Sequence, residues 1–210
     1  MEITWYGLSC FSLVERGFGS VVTDPYDHRE TGLNPLKLSA NIVTVSHDAP
    51  GHSYLEGISG TPRVIKGPGE YEVGGVFITG IQTGGQKGSE HSYNTLYVFD
   101  FDDLTVAHLG DLSRAPTQPE VEAIGSVNIA LVPVGGSLIA ARAAEVINLL
   151  DPNIVIPMHY PTGPGASLDA LHKFLKEMGV SEVRTQPSLK LQKTGLPEET
   201  QVIVLEDQRN

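Results

Sequence analysis

Histidine and aspartate side chains follow three apolar segments of the chain that have the composition of buried strands. They are His47 and His52 after residues 41–46, Asp111 after residues 104–108, and His159 after residues 154–156. Functional sites in α/β sheets lie beyond the carboxyl ends of strands, so we expect these three strand ends to meet at one pocket. Imidazole nitrogen and carboxylate oxygen are suitable ligands for zinc, manganese or iron. The spacing therefore predicts a metal site.

Each of these residues, taken alone, also fits a structural role. A histidine at a strand end is often a hydrogen-bonding core residue, and an aspartate after glycine, as in Gly110-Asp111, often caps a turn or a helix. Short motifs produce many false matches. The prediction of a shared site therefore depends on the agreement of three separate strand ends.

The elements that must position these residues change in type along the chain. Alternating or β-branched runs predict strands over residues 2–6, 11–14, 21–23, 41–46, 74–81, 92–99, 104–108, 127–132, 154–156, 189–191 and 201–205. Helical spacing predicts helices over residues 140–150 and 168–178, and residues 82–89 are rich enough in glycine to form a mobile loop. Strands followed by strand–helix alternation favour one layered α/β domain over residues 1–210.

Composition narrows the classes of function. The formal net charge is −11, so a broad surface for nucleic acid or anionic lipid is not expected. No apolar run approaches the roughly 18 residues that would cross a bilayer, and the first residues lack the pattern of a signal peptide. Cys10 is the only cysteine, which excludes an internal disulfide. Together these features predict a cytoplasmic protein with a small-molecule substrate or ligand.

Six segments, in order along almost the whole chain, resemble the metallo-β-lactamase superfamily, and within it the small ascorbate-6-phosphate-lactonase-like branch of metal-dependent hydrolases. They are residues 3–11, 23–26, 46–52, 108–112, 131–136 and 156–160. The resemblance implies an αββα four-layer sandwich of the α/β class with a two-metal site along one edge of its paired sheets. In the family motif Thr/Ser-His-x-His-x-Asp-His, the first two histidines and a middle-loop histidine hold one metal. The motif's aspartate, its last histidine and a C-terminal histidine hold the other, and the Gly-Asp aspartate bridges both.

When the ligand positions implied by the resemblance are matched to this chain one by one, four of them carry a ligand residue and others do not. The retained ligands are His47, His52, Asp111 and His159. Ala49 and Gly51 stand where the motif has its second histidine and its aspartate, and Leu8 replaces an early histidine. No histidine lies at residues 83–85, where the middle-loop ligand belongs, and His91 is nearby but out of alignment. The metal site is thus expected to be eroded, with His52, Asp111 and His159 able to hold one ion.

The same comparison assigns roles to the remaining histidines and to the cysteine. Asp111 and His47 are the candidate catalytic residues, with His47 as a fourth ligand or a proton shuttle. His108 is expected to support the site or the fold without binding metal. Cys10 is expected to be a small buried residue. His28 and His172 are expected at the surface.

Three functions remain open from the sequence. The first is a hydrolase that uses one zinc or manganese ion against a small ester, lactone or phosphoester. The second is a non-catalytic binding or assembly protein that holds no metal, and the loss of several ligands together supports it. The third, a nuclease, is disfavoured by the negative charge and the lack of a basic arm. Self-association is also left open.

Overall fold

Two mixed β-sheets form the centre of the fold in a computed structural model that describes residues 1–84, 93–162, 166–183 and 185–208. The strands are β1 (Glu2–Trp5), β2 (Phe11–Val14), β3 (Val21–Thr23), β4 (Leu38–Ser39), β5 (Ile42–Val45), β6 (Ile58–Ser59), β7 (Arg63–Lys66), β8 (Gly69–Val73), β9 (Val76–Gly84), β10 (Tyr93–Asp100), β11 (Thr105–His108), β12 (Ile129–Pro133), β13 (Ile154–Met158), β14 (Thr185–Gln186), β15 (Leu189–Lys190), β16 (Gln201–Val202) and β17 (Val204–Leu205). The helices are α1 (His28–Thr31), α2 (Gln118–Ile124), α3 (Ala140–Leu150) and α4 (Asp169–Glu177).

The first sheet has the strand order β15-β1-β2-β3-β5-β7. Strands β3, β5 and β7 run parallel to one another. Strand β2 pairs antiparallel with both of its neighbours, β1 and β3. Successive side chains of a strand point to opposite faces. Val21 and Ile42 accordingly belong to the main core between the sheets, and Val22 and Val43 belong to a second apolar cluster on the outer face. Burial of both faces explains why these strands are continuous apolar runs.

The second sheet has the strand order β16-β13-β12-β11-β10-β9-β8. Strands β8 to β11 form an antiparallel meander, and β11, β12, β13 and β16 are parallel. Parallel pairing places the carboxyl ends of β11, β12 and β13 at one edge of the sheet. The residues that follow these strands can therefore share a site.

The helices complete the layers of the predicted αββα sandwich, which the structure confirms. In α3, Ala143, Val146 and Leu150 are buried where the helix packs on β12, and α4 packs against α3. Among the described residues, the outer face of the first sheet is covered by the short β4–β6 pair and by loop segments, with Ile58, Tyr26 and Leu36 in the cluster there. In the described part of the chain, no helix is long and apolar enough to cross a membrane.

Two predictions about the elements are wrong. Residues 82–84 were expected in a loop, but they continue β9, because Thr83 and Gly84 pair with Asn94 and Tyr93 of β10. The rest of the predicted mobile loop, residues 85–89, lies outside the described residues, as does His91. Residues 201–205 were expected as one strand, but Ile203 separates β16 in the second sheet from β17, which pairs with β14.

A tyrosine of the second sheet bonds directly to the backbone of the first. Tyr97 lies in β10 and is fully buried, and its hydroxyl donates to the carbonyl of Val45 at 2.9 Å. The same oxygen accepts the backbone N–H of Gly67 at 2.9 Å. Burial raises the pKa of Tyr97 well above its ordinary value, so the hydroxyl stays protonated and can keep donating.

We expect Tyr97→Phe to lower the free energy of unfolding by about 1–2 kcal/mol, because it takes the hydroxyl away from the buried Val45 carbonyl and from the partly buried Gly67 N–H. Urea denaturation at neutral pH measures the change. Tyr93→Phe in the same strand is the control, since Tyr93 is 65% exposed. Equal effects of the two substitutions would contradict the role given to the inter-sheet bond.

Candidate metal centre

The four residues predicted to bind metal lie together at the edge where β5, β11 and β13 end. The ring centroids of His47 and His52 are 4.1 Å apart, and those of His52 and His159 are 5.3 Å apart. Asp111 lies beside His159, since both side chains flank Gly136. A Cβ atom added to this glycine would lie 2.9 Å from Asp111 Oδ1 and 2.9 Å from His159 Nδ1. The structure thus brings the three strand ends to one place.

A buried carboxylate that was not among the predicted site residues holds this group in position. Asp24 follows β3 and is fully buried. Its Oδ1 accepts the backbone N–H of Ser46 at 2.7 Å, and its Oδ2 accepts the Ser46 hydroxyl at 2.6 Å. His52 Nδ1 lies 2.8 Å from the same Oδ2. Asp24 could have been found from the sequence, because it is a further acidic residue directly after an apolar strand.

These bonds fix which ring nitrogens carry protons. Burial alone would raise the pKa of the Asp24 carboxyl, but the hydrogen bond and charge of His52, together with Ser46, hold it below its ordinary value. The ionised carboxylate only accepts, so His52 Nδ1 carries the proton and its Nε2 is left with a free lone pair. Ser46 gives its single hydrogen to Asp24, so at 3.1 Å it accepts from His47 Nδ1, and His47 Nε2 is likewise free.

Two buried polar atoms face the same space without partners. Asp111 Oδ1 and His159 Nδ1 are shielded from solvent and have no hydrogen-bond partner within the described part of the chain. Both lie against Gly136, where any side chain would collide with them. Buried polar atoms are nearly always paired. A carboxylate oxygen and an imidazole nitrogen left facing one space have the chemistry of a cation site.

Two imidazoles of this group, those of His47 and His159, are held neutral. Burial, and then the neighbouring charge of His52, lowers the pKa of His47, against the opposing effect of Asp24. Burial and the charge of His52 also lower the pKa of His159, and Asp111 opposes that shift. Neutral imidazole is the form that binds metal or accepts a proton.

The described side chains of this group do not form a complete metal-ligand set. Among the described residues, no three histidine, cysteine or acidic side chains converge closely enough to form a ready-made metal site. The space beside Gly51 is apolar, because a Cβ there would lie 3.5 Å from Leu8 Cδ1. Asp111 Oδ1 and His159 Nδ1 are donor atoms of this group that have no partner among the described residues.

The turn between β1 and β2 supports the site through its backbone. The Leu8 carbonyl accepts the N–H of His159 at 2.9 Å and the indole N–H of Trp5 at 2.9 Å. His108, expected to have a supporting role, is fully buried and donates from Nε2 to the Ser9 carbonyl at 2.9 Å. Burial lowers the pKa of His108, which keeps this ring neutral.

The other predicted positions lie away from the metal centre. Cys10 is fully buried, and burial raises the pKa of its thiol well above the ordinary value, so it is no nucleophile. His172 is exposed on α4, as expected. The His28 side chain is 33% exposed and its ring contacts that of Tyr54 edge-on.

An ion pair anchors the segment that follows Asp111. Arg114 donates from Nη1 and Nη2 to the two carboxylate oxygens of Glu120 at 2.8 and 2.7 Å. Glu120 also accepts the Thr117 N–H at 2.6 Å and so closes the capping box of α2. These bonds, led by that from Arg114, lower the pKa of Glu120 to about 2.

Comparison with known proteins gives consistent matches. Residues 2–159 match the family model of the β-lactamase superfamily domain. A UPF0173 protein of Pyrococcus abyssi is 31% identical over 206 residues, covering 86% of this chain and 93% of the relative. A UPF0173 metal-dependent hydrolase of Natranaerobius thermophilus is 26% identical over 140 residues, covering 66% and 62%. A crystal structure of a candidate Zn-dependent hydrolase of the metallo-β-lactamase superfamily from Thermotoga maritima has a TM-score of 0.79 at 35% identity, over 98% of both chains.

We expect Asp24→Asn to reverse the tautomer of His52. The asparagine keeps the shape of the side chain, but its NH₂ group donates, so His52 Nδ1 must accept and its proton moves to Nε2. Imidazole ¹⁵N chemical shifts of the metal-free protein report this directly. Asp48→Asn is the control, because Asp48 is exposed and accepts a hydrogen bond from Ser53 instead of contacting His52. An unchanged His52 tautomer in Asp24→Asn would refute the assignment.

We expect Glu120→Gln to destabilise the protein by about 1 kcal/mol at neutral pH. The folded pKa of Glu120 is depressed, so its contribution is complete above the ordinary value of 4.5 and is lost as pH falls towards about 2. The gap in unfolding free energy between wild type and variant should therefore narrow over that interval in urea titrations. Glu122→Gln is the control, because it removes an exposed carboxylate of the same helix that bonds Gln118 and makes no ion pair with Arg114.

Proposed function

Because the chain belongs to the metallo-β-lactamase superfamily and to its UPF0173 group, we propose that it is a hydrolase that works with one divalent metal ion. His52, Asp111 and His159 would hold the ion, and zinc or manganese suits their nitrogen and oxygen donors. The named relatives include a metal-dependent hydrolase and a candidate Zn-dependent hydrolase, which supports a metal as cofactor.

The observation that carries this proposal is the pair of unpartnered buried atoms at Gly136. Asp111 Oδ1 and His159 Nδ1 lie at equal distance from one point above this glycine. A purely structural cluster would be expected to bond these atoms to each other or to neighbouring groups. Their placement supports a ligand between them.

His52 supplies the third donor. Its Nδ1–H is occupied by Asp24 at 2.8 Å, which leaves Nε2 as the donor atom. A carboxylate on the far nitrogen orients a metal-binding histidine and raises its basicity. The buried Asp24 is therefore well placed to support a ligand rather than to be one.

His47 would act on the proton of the attacking water. A bound divalent ion lowers the pKa of coordinated water and polarises a substrate oxygen. His47 is half-buried beside His52, its ring is neutral, and its Nε2 is free because Nδ1 donates to Ser46. It can therefore accept a proton at Nε2. Gly51 offers no carboxylate to orient the water, so we expect slow turnover.

A small ester, lactone or phosphoester is the proposed substrate class. The net charge of −11 does not favour long nucleic acids, and no membrane-spanning helix occurs in the described ranges. A locally bound cation would still attract a small anionic substrate. A cytoplasmic location belongs to the same proposal.

A non-catalytic binding role is the second candidate, and one observation favours it. Leu8 packs beside Gly51, so the space where the family motif places a carboxylate is apolar in this chain. Without metal, the remaining polar residues would serve only to join the two sheets. Metal analysis separates the two candidates.

The test is metal content after the purified full-length chain is incubated with Zn²⁺ or Mn²⁺ and then dialysed. We expect about one equivalent per chain, reduced at least tenfold in affinity by His52→Ala and by His159→Ala. His172→Ala is the matched control, because it removes an exposed histidine on α4.

Activity is measured on the metal-loaded protein with a lactone, a carboxylic ester and a phosphodiester. Slow hydrolysis that falls in His47→Ala without loss of bound metal would support the proposal. No metal, or metal without hydrolysis of any of the three, would leave the non-catalytic candidate. Salt-sensitive RNA binding in a gel shift would instead indicate a nuclease.

A further inference from the structure

The side chain of Asn94 makes three buried hydrogen bonds beside the candidate metal centre. It lies in β10, and its Nδ2 donates to Thr83 Oγ1 at 3.0 Å and to the Leu109 carbonyl at 3.0 Å. Its Oδ1 accepts the backbone N–H of Asp111 at 2.9 Å. Both hydrogens and the oxygen of the amide group are therefore used, which fixes its orientation.

The turn before Asp111 packs so closely on this amide that only glycine fits. Gly110 has φ of +61°, which favours glycine, and a Cβ there would overlap Asn94 Oδ1. The same Cβ would lie 2.7 Å from Ser46 Cβ. The backbone leading into Asp111 is thus confined between Asn94 and the segment that carries His47.

Thr83 supports Asn94 from the neighbouring strand. Its hydroxyl donates to the Asn94 carbonyl at 3.1 Å and accepts from Asn94 Nδ2. Thr83 is buried, and its hydroxyl hydrogen is committed to this pair. The family resemblance places a histidine ligand close to this position, but here the residue holds a neighbouring side chain in place.

The strand of Asn94 also supports the histidine side of the site. The N–H of Thr95 donates to the Ser46 carbonyl at 2.8 Å, directly before His47. One end of β10 therefore bonds to both chain segments that bring candidate ligands to the site.

We infer that Asn94 is a positioning residue that sets where the Asp111 carboxylate points. It touches neither substrate nor metal, and it acts by holding the backbone of Leu109 to Asp111. That this carboxylate is a metal ligand rests on the proposed function. The position of the Asp111 backbone does not, so the two claims can be tested separately.

Asn94→Ala is the test, and Asn128→Ala is a matched control. Asn128 directly precedes β12, and its Oδ1 likewise accepts a backbone N–H from a neighbouring strand, that of Thr105 at the start of β11, at 3.0 Å. In metal-free protein, amide hydrogen exchange at Asp111 should accelerate at least about tenfold in Asn94→Ala and stay near wild type in Asn128→Ala. Exchange at Thr105 should show the reverse.

Zn²⁺ affinity of the same variants is the second measurement. We expect it to fall about ten- to a hundredfold in Asn94→Ala, as for other groups that orient metal ligands, and less than threefold in Asn128→Ala. The absorption spectrum of the Co²⁺-loaded variants should change only for Asn94→Ala, because a shifted carboxylate alters the ligand geometry.

Three results would overturn the inference. They are unchanged exchange at Asp111, unchanged Zn²⁺ affinity despite faster exchange, and equal losses in both variants. If Asn94→Ala does not fold, hydrogen exchange in the wild type decides: protection of the Asp111 amide supports the inference, and exchange at the rate of an unbonded amide refutes it. If wild type takes up no metal, the proposed function fails and the exchange data alone decide the role of Asn94.

Discussion

The structure of the site depends on satisfying one buried negative charge. The Asp24 carboxylate lies out of contact with solvent, and an isolated charge in such a place would be strongly destabilising. Hydrogen bonds from Ser46 and His52 satisfy it. Meeting that requirement ties Ser46 and His52 to Asp24, sets the proton positions on two imidazoles and leaves their Nε2 atoms free. The proposed roles of His47 and His52 therefore depend on how the core satisfies the charge of Asp24.

The parallel pairing of strands also helps to bring the candidate site residues together. Strands β3 and β5 in one sheet, and β11, β12 and β13 in the other, end at the same side of the sandwich. Glycine stands at positions beyond these ends where two backbones meet closely. Gly135 shows why, since any Cβ there would collide with the backbone of His159. The scaffold is therefore rigid at the positions where donor atoms face one another.

Sequence patterns were sufficient for the strand ends and for the group of His47, His52, Asp111 and His159, because buried strands are apolar runs and their polar ends stand out. They were insufficient wherever the deciding contact is non-local. Residues 82–84 have the composition of a loop, yet pairing with β10 makes them a strand. Nothing in the sequence around Asn94 indicates its bond to Asp111, which depends on the register of three strands. The packing of Leu8 beside Gly51 is likewise visible only once the fold is formed.

The β1–β2 turn has a consequence for the order in which the protein can mature. Two consecutive carbonyls of this turn, those of Leu8 and Ser9, receive hydrogen bonds from His159 and His108, which are synthesised much later. Contacts between such distant parts of a chain form slowly, since a long loop must close first. A nascent chain still short of β13 therefore cannot assemble the donor group, and the protein cannot acquire a competent site until most of its length has left the ribosome.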